Sequence, residues 1–316
     1  MSIWEGRLSK NRFLSEKTAH DIDARVERVL KGLGNPEPPL RLEDARHLLQ
    51  LDLKFYTAKD PSVAQEAISR IRVATLQVFN RPTLIIDAIH KWSLKALYLP
   101  DRKRILLDGD LPLKKHRWNE AHEIGHSLLP WHEDAMLGDN SHTLSADCHD
   151  QVEAEANYAA GRILFLRDRF TEEALSSSPS IHTVKQLHGT FGNTLSTTLY
   201  RFVETVGTQA PTVGLMTGHP HVSRRKADFD PANPCRHFIR SAAFANHFGK
   251  IGGVDLFNAV AGYCGAQSGG PLGNCELILT DDNGDQHRFY FETFFNRWDA
   301  LTLGTYLKPE VRMVAA

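Results

Sequence analysis

The segment 119-NEAHEIGHSLLPWHED-134 restricts the fold of this chain more than any other part of the sequence. His122 and His126 are four residues apart among apolar neighbours and form the pattern HExxH. Helical positions four residues apart differ by about 40° of rotation, so both imidazoles share a face and can bind one metal ion. Glu123 is offset by about 100°, from where its carboxylate can reach a metal-bound water without being a ligand. The pattern predicts a buried helix with two metal ligands and a general base.

Two residues compete to be the third ligand. His132 lies ten residues after His122, which is the spacing of the longer pattern HExxHxxGxxH. That pattern needs a glycine at position 129 to turn the chain, and this sequence has leucine followed by proline there. Glu153 is the alternative, on a second predicted helix, 150-DQVEAEANYAAGRILFLRDRF-170.

Neighbours of Glu153 on this second helix have separate expected roles. Asn157 follows Glu153 by four residues and lies on the same face of the helix. It can therefore accept a hydrogen bond from the outer nitrogen of a ligand histidine, the ring nitrogen that does not bind the metal, and so fix the tautomer of that histidine. Glu155 is rotated about 200° away, and we expect it to be solvated. Peptide hydrolysis also needs an electrophile at the oxyanion, for which the sequence offers three candidates without choosing between them. These candidates are Tyr158, Arg162 and His132.

Cys148 raises the question of a fourth ligand. It lies five residues before Glu153, at the end of a polar loop predicted from about residue 133 to residue 149. A catalytic zinc keeps its fourth coordination position for water, and a thiolate bound there would displace the water and inactivate the enzyme. Cys148 is therefore a candidate inhibitory fourth ligand, with His142 and His149 as rivals. A loop cysteine without a role is the simplest alternative.

The remaining elements follow from hydrophobic periodicity and turn signals. Residues 15–31, 41–50 and 61–78 are predicted helices, and residues 83–89, 94–99 and 103–108 are predicted strands, the last two forming a hairpin. Residues 181–207 are predicted to form two helices around a turn at Gly192, a helix-turn-helix pattern whose plain alternative is a packed helical hairpin. Residues 275–295 are predicted to form a hairpin around Asp282-Asn283-Gly284.

Composition limits the classes of protein that fit. The chain has 316 residues and a formal net charge of −1, so it is no polycation, and any nucleic-acid surface must be a local patch. Its four cysteines are widely spaced, which argues against a secreted disulfide framework. We find no signal-peptide core and no apolar run of about 18 residues. These features predict a cytoplasmic protein that does not contact a membrane.

The sequence HEIGHSLL, followed some 25 residues later by EAEANYAAGRILF, resembles the ImmA/IrrE (DUF955) metallopeptidases, a gluzincin group. Their pattern is HExGHxLL and then ExEANxFAxxLL, and the resemblance covers about residues 80–170. Ala159 stands where the family usually has phenylalanine, and Phe165-Leu166-Arg167 replaces the usual Leu-Met-Pro. Neither departure touches the metal ligands, but both bear on the pocket wall. The resemblance implies Zn²⁺ bound by His122, His126 and Glu153, with Glu123 as general base.

The resemblance also implies an architecture and a function. We expect an α+β protein with a gluzincin-like (zincin) metallopeptidase domain at 1–175, a helix-turn-helix-like segment at 176–210, and a GAF-like α/β sensor domain at 211–316. The implied substrate is a helix-turn-helix transcriptional repressor, cut once to derepress a stress or anti-phage operon. The preferred subgroup is the CapP type of CBASS anti-phage systems. DNA, including its single-stranded form, is the expected activating signal.

Two other functions remain open from the sequence. The chain can be a DNA-binding regulator whose zinc site is structural, in which case four protein ligands close the site and Glu123 is not needed. It can also be a metzincin-like protease with His132 as third ligand. Substituting Glu123 by glutamine separates a peptidase from a structural site, because zinc and fold persist while cleavage is lost.

Overall fold

The computed structural model describes residues 14–56, 96–99, 103–111, 113–132 and 146–310, which form two compact units. The N-terminal unit holds residues 14–169 and 191–193, and the C-terminal unit holds residues 170–190 and those from 194 onward. The elements predicted at 61–78 and 83–89 lie outside the described residues. No helix in the described part of the chain is long and apolar enough to cross a membrane.

Two helices open the N-terminal unit where the sequence predicts them. Helix α1 spans Glu16–Gly32, and it begins where the Ser15 hydroxyl accepts a hydrogen bond from the Thr18 amide, as a serine N-cap does. Helix α2 spans Leu42–Leu49. The apolar face of α1 is buried and consists of Ile22, Val26, Val29 and Leu30.

A three-stranded sheet follows, with strands β1 (Asp52–Tyr56), β2 (Ala96–Leu99) and β3 (Arg104–Asp108). The predicted hairpin is confirmed, because β2 and β3 run antiparallel. The sequence did not predict β1, which lies parallel to β3 and makes the strand order β1-β3-β2. As far as the described residues extend, β2 is therefore an edge of this sheet.

Helices α3 (Leu113–Leu128) and α4 (Ala146–Leu164) pack against each other, and α1 packs against α4. Gly125 permits the close approach of α3 and α4, because a β-carbon at this position would lie 2.7 Å from the carbonyl oxygen of Ala156. Helix α3 is the predicted HExxH helix. Helix α4 begins at Ala146, earlier than the predicted start at residue 150.

The predicted helix over 150–170 is wrong at its C-terminal end. Helix α4 ends at Leu164, and a separate helix, α5, spans Asp168–Leu175. Between them Leu166 and Arg167 adopt left-handed backbone conformations, with φ of 51° and 47°. The Arg167 amide donates a hydrogen bond of 2.9 Å to the Arg162 carbonyl, which closes the end of α4. The usual residues for this conformation are glycine and asparagine, so the sequence carries no signal for the break.

Two further helices and a sheet form most of the C-terminal unit. Helices α6 (Ile181–Phe191) and α7 (Leu195–Val206) flank Gly192, whose φ of 66° makes the predicted turn. The five-stranded sheet is antiparallel throughout, in the order β5-β4-β8-β7-β6. The predicted hairpin at 275–295 is confirmed as β6 and β7. The strands are β4 (Thr212–Thr217), β5 (Cys235–Arg240), β6 (Gly270–Thr280), β7 (Gln286–Phe295) and β8 (Ala300–Pro309).

Helices cover the sheet of the C-terminal unit. Between β5 and β6 the chain forms helices α8 (Ala242–His247) and α9 (Gly253–Tyr263), and their apolar side chains join the main core of this unit. Helix α7 packs against β4, β5 and β8. The architecture of the whole chain is therefore mixed α and β, with an antiparallel sheet in its C-terminal unit.

Candidate metal centre

Three side chains converge where α3 and α4 meet. The Nε2 atoms of His122 and His126 are 3.1 Å apart, and the Glu153 carboxylate oxygens lie 3.2 Å from His122 Nε2 and 3.6 Å from His126 Nε2. Donor atoms bound to one tetrahedral zinc through bonds of about 2.0–2.1 Å lie roughly 3.3 Å apart. The spacing of these three groups therefore fits a single metal ion, and no side chain has to move far to bind it.

Electrostatics at this cluster also favour a cation. Burial would raise the pKa of Glu153, but hydrogen bonds to both histidines hold it well below its usual value. Burial lowers the pKa of His126 to about 4, so this imidazole stays neutral. Burial would also lower the pKa of His122, but Glu153, Glu123 and Asn157 together raise it. A carboxylate and two imidazoles that converge at one partly buried place are the donor set of a metal site.

Glu123 lies beside the cluster without joining it. Its side chain is 4% exposed, and burial raises its pKa to about 7, although a hydrogen bond from the Tyr98 backbone lowers it in part. A carboxyl group with this pKa can take up and release a proton near neutral pH. The Tyr98 contact also places Glu123 next to strand β2, the described edge of the N-terminal sheet.

The outer nitrogens of the two histidines have different partners. Nδ1 of His122 lies 3.1 Å from Oδ1 of Asn157, an exposed amide on α4. Nδ1 of His126 lies 3.0 Å from Nδ1 of His132, which is fully buried. His132 therefore stands behind His126 and outside the three-residue cluster, so the arrangement does not support it as a third ligand.

The expectation that Glu155 is solvated is wrong. Glu155 is 6% exposed, and its Oε2 lies 2.9 Å from His132 Nε2. Trp131 Nε1 donates to the same oxygen at 2.6 Å, and Gln151 Nε2 donates to Oε1 at 2.7 Å. Burial would raise the pKa of Glu155, but these three hydrogen bonds lower it. The rotation of about 200° is correct, but that face of α4 meets the chain that follows α3 and is not open to solvent.

The three oxyanion candidates are engaged in other hydrogen bonds. Arg162 donates two hydrogen bonds to the Asp23 carboxylate of α1, and the Tyr158 hydroxyl donates to Asp23 Oδ2 at 3.3 Å. Both ring nitrogens of His132 are already in hydrogen bonds. Tyr158 and Arg162 thus tie α4 to α1, a structural role that the sequence did not reveal because Asp23 is distant along the chain.

Cys148 belongs to the first turn of α4, and not to the loop that the sequence predicts. Five helical residues correspond to about 140° of rotation, so its backbone position lies on a different face of α4 from Glu153. The side chains of Cys148 and His149, and the whole of His142, lie outside the described part of the structure. Cys148 as a fourth ligand therefore stays a prediction.

An HExxH helix packed against a second helix that supplies a glutamate is the arrangement of one class of metallopeptidase centre. Residues 79–203 match the model of the Peptidase_M78 family, the IrrE N-terminal-like domain. The match implies a metallopeptidase domain in this part of the chain, which agrees with the ImmA/IrrE resemblance.

Solved structures extend the comparison beyond this domain. A Mycobacterium tuberculosis transcriptional regulator is similar over 91% of this chain and 77% of its own length, with 17% sequence identity and a TM-score of 0.51. At that identity the likeness shows a shared fold and no shared activity. No curated protein matches the sequence.

Proposed function

We propose that this protein is a zinc-dependent endopeptidase of the gluzincin type. The observation that carries the proposal is the cluster of His122, His126 and Glu153 beside the separate, buried carboxyl group of Glu123. A structural zinc site needs no such carboxyl group. A peptidase needs it, because a general base must take a proton from the attacking water.

The roles of the residues follow from this arrangement. His122, His126 and Glu153 would hold Zn²⁺, which polarises the scissile carbonyl and lowers the pKa of a bound water to about 7. Glu123 takes the proton of the attacking water and then donates it to the leaving amine nitrogen. Asn157 accepts a hydrogen bond from His122 Nδ1, which would leave His122 Nε2 free to bind the metal.

An extended segment of the substrate is expected to pair with β2. This strand is at the edge of the described sheet, and its Tyr98 backbone contacts Glu123. A peptide that adds to such an edge through main-chain hydrogen bonds would present its backbone to the general base. We propose a helix-turn-helix transcriptional repressor as the substrate, on the ImmA/IrrE resemblance. Its cleavage would derepress a DNA-damage, stress or anti-phage operon, including those of the CBASS type with a CapP-like peptidase.

We propose that residues 211–316 form a GAF-like sensor domain that gates cleavage. An antiparallel sheet covered by helices supports this part of the proposal. DNA, including single-stranded DNA, is the proposed signal. If the protein contacts phosphates, DNA binding must weaken steeply as salt rises.

The alternative of a DNA-binding regulator with a structural zinc site is less well supported. In the helix-turn-helix pattern α7 would be the helix that reads the major groove, which requires a solvent-exposed face. Every residue of Leu195–Val206 is buried or half-buried, and the helix packs against the sheet of the C-terminal unit. Helices α6 and α7 therefore fit the packed-hairpin alternative better.

Three variants test the proposed function against candidate repressors in a cleavage assay. Glu123→Gln should retain zinc and fold but lose cleavage, whereas Glu153→Gln should lose both zinc and cleavage. Glu43→Gln is the control, because this glutamate is exposed, lies on α2 and is not a member of the cluster. Cleavage that persists in Glu123→Gln would refute the peptidase mechanism.

A further inference from the structure

A continuous chain of buried hydrogen bonds runs outward from His126. The first link joins His126 Nδ1 to His132 Nδ1 at 3.0 Å, and the second joins His132 Nε2 to Glu155 Oε2 at 2.9 Å. All three side chains are almost fully buried, with exposures of 4%, 0% and 6%. A buried chain of this kind restrains each member more strongly than solvent-exposed contacts do.

The chain forms because the backbone turns immediately after α3. The Leu129 amide donates to the His126 carbonyl, and the His132 amide donates to the Leu129 carbonyl at 2.8 Å. This turn returns His132 to the side of α3 that carries His126. Glu155 then reaches His132 from α4, so the chain links both helices that supply the metal ligands.

The direction of the hydrogen bonds follows from counting donors. The Glu155 carboxylate accepts from Trp131, whose indole nitrogen can only donate, and from the Gln151 amide. If His132 Nε2 also donates to this carboxylate, its Nδ1 carries no proton and must accept. His126 Nδ1 then donates, which leaves the lone pair of His126 Nε2 directed at Glu153 and His122.

We propose that Glu155 acts through His132 to hold His126 in the tautomer and orientation that bind the metal. Glu155 and His132 are thus positioning residues, and the inference rests on the metal site proposed above. Among the residues that the structure describes, the Nδ1 atom of His122 is bonded to the neutral amide of Asn157 and not to a buried carboxylate-linked histidine. The two ligand histidines are therefore unequal, and His126 is the more firmly oriented of the two.

Substitutions of His132 separate the two links of the chain. His132→Leu removes both. His132→Asn keeps an oxygen where Nδ1 was, so it still accepts from His126, but no atom reaches Glu155. Glu155→Gln keeps the shape and removes the charge. Trp131→Phe is the matched control, because it removes one hydrogen bond to Glu155 and leaves the chain to His126 intact.

Zinc affinity is measured by competition with a chromophoric chelator, and Co²⁺ spectra report the geometry of the ligands. Affinity should fall about 10- to 100-fold in His132→Leu, as for other partners of ligand histidines. The zinc affinities of His132→Asn and Glu155→Gln should lie between the affinity of His132→Leu and that of the wild type. Trp131→Phe should match the wild type in affinity and in its Co²⁺ spectrum.

Wild-type affinity in His132→Leu would overturn the inference, as would a Trp131→Phe affinity as low as that of His132→Leu. Circular dichroism of the metal-free variants shows which of them fold. If His132→Leu does not fold, Glu155→Gln and His132→Asn provide the test. Wild-type zinc affinity in both variants would then refute the inference that the hydrogen bonds orient His126. A wild-type protein that binds no zinc would instead refute the proposed function.

Discussion

Gly125 offers a quantitative test of how closely α3 and α4 must approach to form the metal centre. In Gly125→Ala the new β-carbon would lie 2.7 Å from the Ala156 carbonyl oxygen and 3.2 Å from the Ala159 β-carbon. Carbon and oxygen atoms of neighbouring helices approach to about 3.3 Å, so the helices must separate by roughly 0.6 Å. The atom in the way is a backbone oxygen inside a helix and cannot rotate aside.

The shift should reach the metal ligands. Ala156 follows Glu153 by one turn of α4, so a displacement at Ala156 moves the Glu153 carboxylate away from the histidines of α3. Metal sites tolerate deviations of about 0.2 Å in ligand distances, which is less than the expected displacement. We therefore expect zinc affinity in Gly125→Ala to fall about 10- to 100-fold, similar to the loss of a partner of a ligand histidine.

Stability should fall as well. Overpacking costs about 1–3 kcal/mol. Replacing glycine by alanine inside a helix offsets about 1 kcal/mol of this cost, which leaves a net loss of up to about 2 kcal/mol. Gly161→Ala is the matched control, because Gly161 lies within α4 and a β-carbon added there would have no neighbouring atom within 4 Å. That variant should gain about 0.5–1 kcal/mol from helix propensity alone.

Denaturant unfolding of the metal-free proteins and chelator competition for zinc measure the two effects separately. The reasoning is refuted if Gly125→Ala is as stable as Gly161→Ala and binds zinc as the wild type does. A loss of stability with unchanged zinc affinity would show that the two helices separate without moving Glu153, and the proposed link between packing and ligand geometry would then be wrong.

Four further predictions follow from the same structure. Chelation of the metal should lower the unfolding temperature, and restored zinc at a thousand times its dissociation constant should add about 4 kcal/mol of stability. Asp23→Ala removes the closest carboxylate of Arg162, which is 8% exposed, and should lower the free energy of unfolding by about 2–4 kcal/mol. Zinc affinity, measured by titration, should not change in this variant. Cys148→Ala should raise basal cleavage if the thiolate closes the fourth position, and unchanged cleavage contradicts the switch. In the metal-free protein the pKa of Glu123 is about 7, above its unfolded value of 4.5. Its contribution to stability is therefore present at low pH and lost as pH rises through 7, so Glu123→Gln should lose less stability than the wild type between about pH 5 and pH 8.

Local spacing made one part of the centre predictable. His122, Glu123 and His126 lie within five consecutive residues, and the geometry of a helix alone decides which of their side chains share a face. The two hairpins were predictable for the same reason, since each joins strands that are close in sequence. The break of α4 at Leu166 and Arg167 was not, because both residues adopt a backbone conformation that their side chains do not signal.

The sequence by itself determined the HExxH helix, the donor types and the spacing of Glu153 and Asn157 along a second helix. Tertiary structure alone decided what Glu155, His132 and Arg162 do. The rotation angle of a residue determines which face of a helix its side chain occupies, but only tertiary packing determines what covers that face. Glu155 is buried because the chain after α3 folds over it, and Arg162 is engaged because α1 brings Asp23 to it.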